Sequence, residues 1–153
     1  ARTRETADPP PREGDRLVTA EAIDDAWRSL PATRHGDAPV VLVLRTGDDP
    51  AAYLTLEAAQ LLVERGIEHV VLELPSMDRA EDEGRLGAHR RFFGLPAGSI
   101  ALAEARRAHC TITELAHVPS ALAAGPCLVQ LQLAPWTGDA VPSRPVHYRG
   151  SPP

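Results

Sequence analysis

Two aliphatic runs, residues 40–44 (Val-Val-Leu-Val-Leu) and residues 69–74 (His-Val-Val-Leu-Glu-Leu), stand on either side of a helical pattern, and that order admits few folds. Short continuous runs rich in Val and Leu suit strands buried on both faces. Between them Thr55 opens a helix. Its Leu56, Ala59, Leu62 and Val63 make one apolar stripe, Glu64 and Arg65 lie on the other side, and Gly66 is the stop. A strand, a helix and a second strand of this kind predict a right-handed crossover between parallel neighbours in one sheet.

The flanking segments extend that unit. Residues 1–15 form a polar, proline-rich lead, which predicts an extended or disordered segment. Thr19 offers an N-cap to a helix that carries Ile23, Ala26, Trp27 and Leu30 at helical spacing, with Glu21 in its first turn and Pro31 as its stop. Residues 31–39 read as turns. After the second aliphatic run, helices are expected over residues 81–93 and 99–107, then a short strand over 111–115. Residues 128–133 alternate Leu with Gln in the manner of a half-exposed strand, and the chain from Pro142 leads to a last extended piece. Together these elements predict one α/β domain over residues 16–149 with a mixed sheet, followed by a loose tail at residues 150–153.

Composition narrows the function classes. A chain of 153 residues with 43% hydrophobic side chains fits one domain with a real core. All 16 basic residues are Arg, yet the net charge is -5, so a clustered basic face for a phosphate backbone is not expected and nucleic acid is excluded as a partner. Cys110 and Cys127 give neither a disulfide framework nor a zinc spacing, and read as small buried residues. No apolar run approaches the roughly 20 residues of a membrane helix, and the N-terminal stretch lacks a signal-peptide core, so the expected setting is the cytoplasm. A glycine-rich phosphate loop and a Gly-x-Ser-x-Gly elbow are both missing.

In open α/β sheets, ligands gather beyond the carboxyl ends of parallel strands. Ser76, Met77, Asp78 and Arg79 leave the second aliphatic run at that end, followed by Glu81, Asp82, Glu83 and His89. The same acidic residues also suit an ordinary helix start. His89 shares a helical face with Leu86, Phe92 and Phe93, as a hydrogen-bonded core imidazole or as a ligand. Glu114 follows Ile112 at the two-residue period of a strand. Facing inward, its carboxylate needs a partner, a proton or a metal; at an exposed strand end it needs none. His109 and His117 flank it as candidate supporting groups. His35 and Asp37 read as part of a turn, His69 begins a strand, and His147 lies near the tail. For Trp136 a packing role is expected.

At these residues the chain resembles the cyclase family of metal-dependent hydrolases, which includes bacterial kynurenine formamidase (arylformamidase) and isatin-hydrolase-like enzymes. The landmarks run from Gly14-Asp15-Arg16-Leu17 through Leu44-Arg45-Thr46-Gly47, Tyr53-Leu54-Thr55 and Pro75-Ser76-Met77-Asp78. They continue through Ala88-His89-Arg90, Thr111-Ile112-Thr113-Glu114-Leu115 and Val141-Pro142-Ser143-Arg144-Pro145. The resemblance implies a swivelling β/β/α fold and hydrolysis of an amide, often in tryptophan breakdown, with one or two divalent ions, zinc or manganese. It assigns His89 and Glu114 to the metal site, with His89 also the candidate catalytic group, and Arg144 to the substrate pocket, where Ser76 and Asp78 at the strand exit are the further candidates.

The family's His-x-Gly-Thr-His-x-Asp motif has no copy here, so the chain reads as the C-terminal portion of such a protein. Two ligands fall short of the three that a zinc centre generally needs. The chain alone is therefore expected to be inactive, to bind metal weakly, and to pair with the missing portion or form a homo-oligomer. The rival expectation is a non-catalytic cyclase-like domain, used for binding or assembly, that has lost its metal site.

Overall fold

The computed structural model describes residues 10–30, 41–46, 49, 51–96, 99, 101–138 and 140–148. In chain order the elements are β1 (Arg16–Val18), α1 (Ala20–Ser29), β2 (Val41–Leu44), β3 (Ala52–Leu54), α2 (Leu56–Glu64) and β4 (His69–Leu72). Then come α3 (Gly87–Phe93), a single 3-10 turn (Leu102–Glu104), β5 (Thr111–Thr113), β6 (Leu128–Leu133) and β7 (Ser143–Tyr148). The result is a mixed α/β fold with parallel and antiparallel sheets. No described helix is long and apolar enough to cross a membrane.

The central sheet has the order β2-β4-β5 and is parallel throughout. Val41 lies opposite His69 and Leu44 opposite Leu72, with α2 between the two strands, so the strand–helix–strand unit read from the aliphatic runs is present. Thr55 caps α2 by accepting the Ala58 N–H at 3.1 Å, and Thr19 caps α1 through the Ala22 N–H at 3.2 Å. The core gathers Leu54, Leu62, Ile67, Val70, Leu72 and Phe92 between this sheet and the helices. Each such side chain contributes roughly 1.5–3 kcal/mol on burial.

Several expectations are corrected. Parallel and antiparallel pairings occur in separate sheets: β1 pairs with β3 in parallel, and β6 with β7 antiparallel. In residues 10–15, which the sequence left extended or disordered, Tyr53 and Arg79 both hydrogen-bond the Asp15 carboxylate and Arg79 donates to the Pro10 carbonyl at 3.1 Å. The helix expected from residue 81 begins at Gly87. Asp82 accepts the Gly84 and Leu86 N–H groups at 2.8 and 2.5 Å, which closes a turn, and Glu83, Gly84 and Leu86 all have positive φ.

The helix expected over residues 99–107 is reduced to the 3-10 turn. Arg107 instead reaches back, its guanidinium donating to the Phe92 and Ile67 carbonyls and lying 4.7 Å over the Phe92 ring. Those contacts outweigh the helix propensity of an Ala- and Arg-rich segment. Trp136 is 70% exposed, so it does not pack as expected. Residues 1–9 and 31–40, including His35 and Asp37, lie outside the described residues, as do residues 149–153.

Candidate functional site

The carboxyl ends of β4 and β5 are stitched together beyond the strands themselves. Leu115 donates to the Leu74 carbonyl at 2.9 Å and Ala116 to the Leu72 carbonyl at 3.0 Å. The segment after β4 is fastened on its other side, where Leu54 of β3 donates to the Met77 carbonyl at 2.9 Å. Leu74 and Met77 are fully buried, so residues 74–78 are a fixed shelf at the strand exits. Glu114 leaves β5 one residue past its last paired position, and its Oε1 accepts the Met77 N–H at 2.8 Å. Its carboxylate is thus partly buried and partnered, between the two placements that the sequence left open.

Asp78 is the one buried polar or charged side chain among the described residues, at 8% exposure. Ser76 prepares it, its Oγ accepting the Asp78 N–H at 3.1 Å. The start of α3 has no capping side chain of its own, because Leu86 stands at the N-cap in the left-handed region. Asp78 caps from a distance: Oδ1 accepts the Ala88 N–H at 2.6 Å and Oδ2 the His89 N–H at 3.2 Å. Gly87 lets the start of α3 pack closely on Leu56, whose Cδ2 a Cβ there would meet at 2.9 Å, while Asp78 Oδ1 at 3.9 Å would be only in ordinary contact.

His89 therefore sits between two carboxylates. Nδ1 is 2.6 Å from Asp78 Oδ2, and Nε2 is 3.3 Å from Glu114 Oε1. Burial lowers the affinity of the ring for its proton, yet the hydrogen bonds and charges of Asp78 and Glu114 prevail and push its pKa up from 6.5 to about 9. With no ion bound, the ring is an imidazolium clamped by two anions at neutral pH. Among the described residues no group of three or more His, Cys, Asp or Glu is disposed to hold a metal ion.

The other residues singled out from the sequence fall as follows. Arg144 lies on β7 and lines a crevice that Glu114 and His117 also line. His109 is exposed, 3.8 Å from Glu68, and His69 bonds Thr111 Oγ1 at 2.9 Å near the opposite ends of β4 and β5. Neither touches His89 or Glu114. One set of contacts escaped the sequence reading. Arg79, next to Asp78, donates to the Tyr53 hydroxyl at 2.7 Å, and Tyr53 donates to Asp15 at 3.0 Å, which braces the shelf against β3. Its only signal is an Arg beside the site with tyrosine and acid in a distant segment, and nothing local pairs them.

No family model matches the chain, and no curated protein matches it.

Proposed function

We propose that this chain is part of a metal-dependent amide hydrolase of the cyclase kind, with the swivelling β/β/α fold and an arylformamidase-like reaction. One observation carries the reading: the His89 Nε2 and Glu114 Oε1 atoms converge at 3.3 Å on the carboxyl ends of parallel strands. Neighbouring donors on a tetrahedral zinc, with bonds of about 2.0–2.2 Å, stand roughly 3.3–3.5 Å apart. An imidazole nitrogen and a carboxylate oxygen are also the donor types that zinc or manganese accepts. Asp78 supports the same role, because its hold on Nδ1–H leaves the Nε2 lone pair as the donor.

Such an ion, when bound, supplies Lewis acidity toward an amide carbonyl and brings the pKa of water to about 7. The chain does the rest. Asp78 fixes the tautomer and orientation of His89, the Met77 N–H orients Glu114, and the shelf of residues 74–78 keeps the two donors in register. Ser76 acts here through Asp78, and Arg144 stands at the crevice beside Glu114. A third donor must come from another segment or from a second copy.

Zinc and manganese titrations by calorimetry, with hydrolysis of N-formylkynurenine and simpler aryl formamides, test the reading. His89→Ala and Glu114→Ala should each weaken ion uptake by about tenfold or more. Unchanged uptake in both would overturn it. The second reading, a binding or assembly domain, is favoured by the way the two carboxylates already satisfy both ring nitrogens. It predicts that the same variants lower stability and leave ion uptake at the level of random surface binding.

A further inference from the structure

The two outer edges of the β6–β7 ribbon are unlike. Among the described residues β6 pairs only with β7, so each strand keeps one edge without a neighbour. β7 carries Arg144 and Pro145, a charge and a proline, which are devices that blunt an edge. β6 reads Leu-Val-Gln-Leu-Gln-Leu over residues 128–133, with no charge, no proline and no glycine. A run of that composition on a bare edge is a template for another strand.

Pro145 tells which backbone groups that edge presents. A proline sits in a ladder where its missing N–H would have pointed away from the neighbouring strand. Pro145 lies opposite Leu131, so Leu131 and its alternates Val129 and Leu133 turn their N–H and C=O groups to the bare edge of β6. These three residues also share one face, spaced evenly about Leu131. An antiparallel copy of β6 centred on Leu131 therefore sets Val129 against Leu133 of the copy, and Leu131 against itself. On the other face Gln130 meets Gln132 of the copy, and each amide carries both a donor and an acceptor for the other. No like charges face one another. This match of the strand with itself selects a second copy of the chain as the occupant.

We infer that β6 pairs antiparallel with β6 of a second copy about a two-fold axis at Leu131, joining two ribbons into one four-stranded sheet. Leu133, 59% exposed in the single chain, is then covered by Val129 of the copy. The blunted β7 strands form the outer edges of that sheet, so the assembly closes as a dimer. The contact needs no ion and stands apart from the hydrolase reading.

Sedimentation equilibrium and amide hydrogen exchange on the metal-free full chain test it. The expected result is a concentration-dependent dimer in which the Val129, Leu131 and Leu133 amides exchange more slowly as the protein is concentrated. Gln130→Lys joined with Gln132→Lys sets like charges opposite each other and should weaken the dimer about tenfold or more. Because both positions are exposed, the urea midpoint of the dilute chain should stay where it was. Gln130→Glu joined with Gln132→Glu should act likewise, and an equimolar mixture of the two double variants should restore the dimer. A chain that stays monomeric up to about 1 mM would overturn the inference. So would a dimer that both double variants leave intact, a mixture that stays monomeric, or growth into open-ended fibres.

Discussion

The helix-backed parallel sheet and the β6–β7 ribbon treat their buried polar groups in opposite ways. At the exits of β4 and β5, Asp78 accepts two backbone N–H groups and the His89 ring, and Glu114 accepts the Met77 N–H. In the ribbon, the half-buried Ser143 and His147 keep the Ser143 hydroxyl and both His147 ring nitrogens away from water with no hydrogen-bond partner among the described residues. The central strand β4 also buries Val70, Val71 and Leu72, whereas the ribbon leaves Leu128, Leu133 and Tyr148 exposed. The difference separates a hydrogen-bonded centre on rigid elements from a ribbon whose closed-off side-chain atoms lack partners among the described residues.

The largest expected effect follows from that contrast. Asp78→Ala removes the cap of α3 and strands the His89 charge, and should cost about 3–5 kcal/mol in urea unfolding, as for a broken buried pair. Asp78→Asn keeps one acceptor and should cost less. A loss below about 1 kcal/mol for the Ala variant would show that the sheet site is no better organised than the ribbon.

A second, smaller effect is carried by pH. His89 ionises at about 9 in the folded chain against 6.5 in the open. The native state thus holds the proton more tightly than the unfolded one. The linked stability is complete below pH 6.5 and is lost as pH rises through 9, with a ceiling on the order of 3 kcal/mol. Unfolding measured with a chelator present should show that decline, and His89→Gln should flatten it. A wild-type profile already flat between those limits would remove the clamp from the account of the fold.

What the sequence made legible follows the same division. Continuous Val and Leu runs mark β2 and β4 as neighbours, although only the central β4 is covered and the edge strand β2 is half-buried throughout, and the apolar stripe of α2 joins them in only one economical way. Placing Glu114 and the start of α3 at the same end followed from that topology. The cap on α3 was hidden, because it comes from Asp78 rather than from a residue next to the helix, and the turn closed by Asp82 looks like a helix start in composition alone. β1 and β3 are three residues each, too short for periodicity to speak. The Arg107 contacts with Phe92 and Ile67 are tertiary and overrule the local preference of residues 99–107.

The smallest expected effect sharpens the comparison most. Replacing Asp78 deletes a partner that other groups need, but replacing His147 deletes a group that has none. His147→Leu removes two closed-off nitrogens and keeps comparable bulk against Pro145 and Val129, so it should raise stability by about 1 kcal/mol, read as a higher urea midpoint at unchanged slope. If His147→Leu instead lowers the midpoint by 1 kcal/mol or more, the ring has partners that matter in the free chain. The ribbon would then be as self-contained as the sheet beside it.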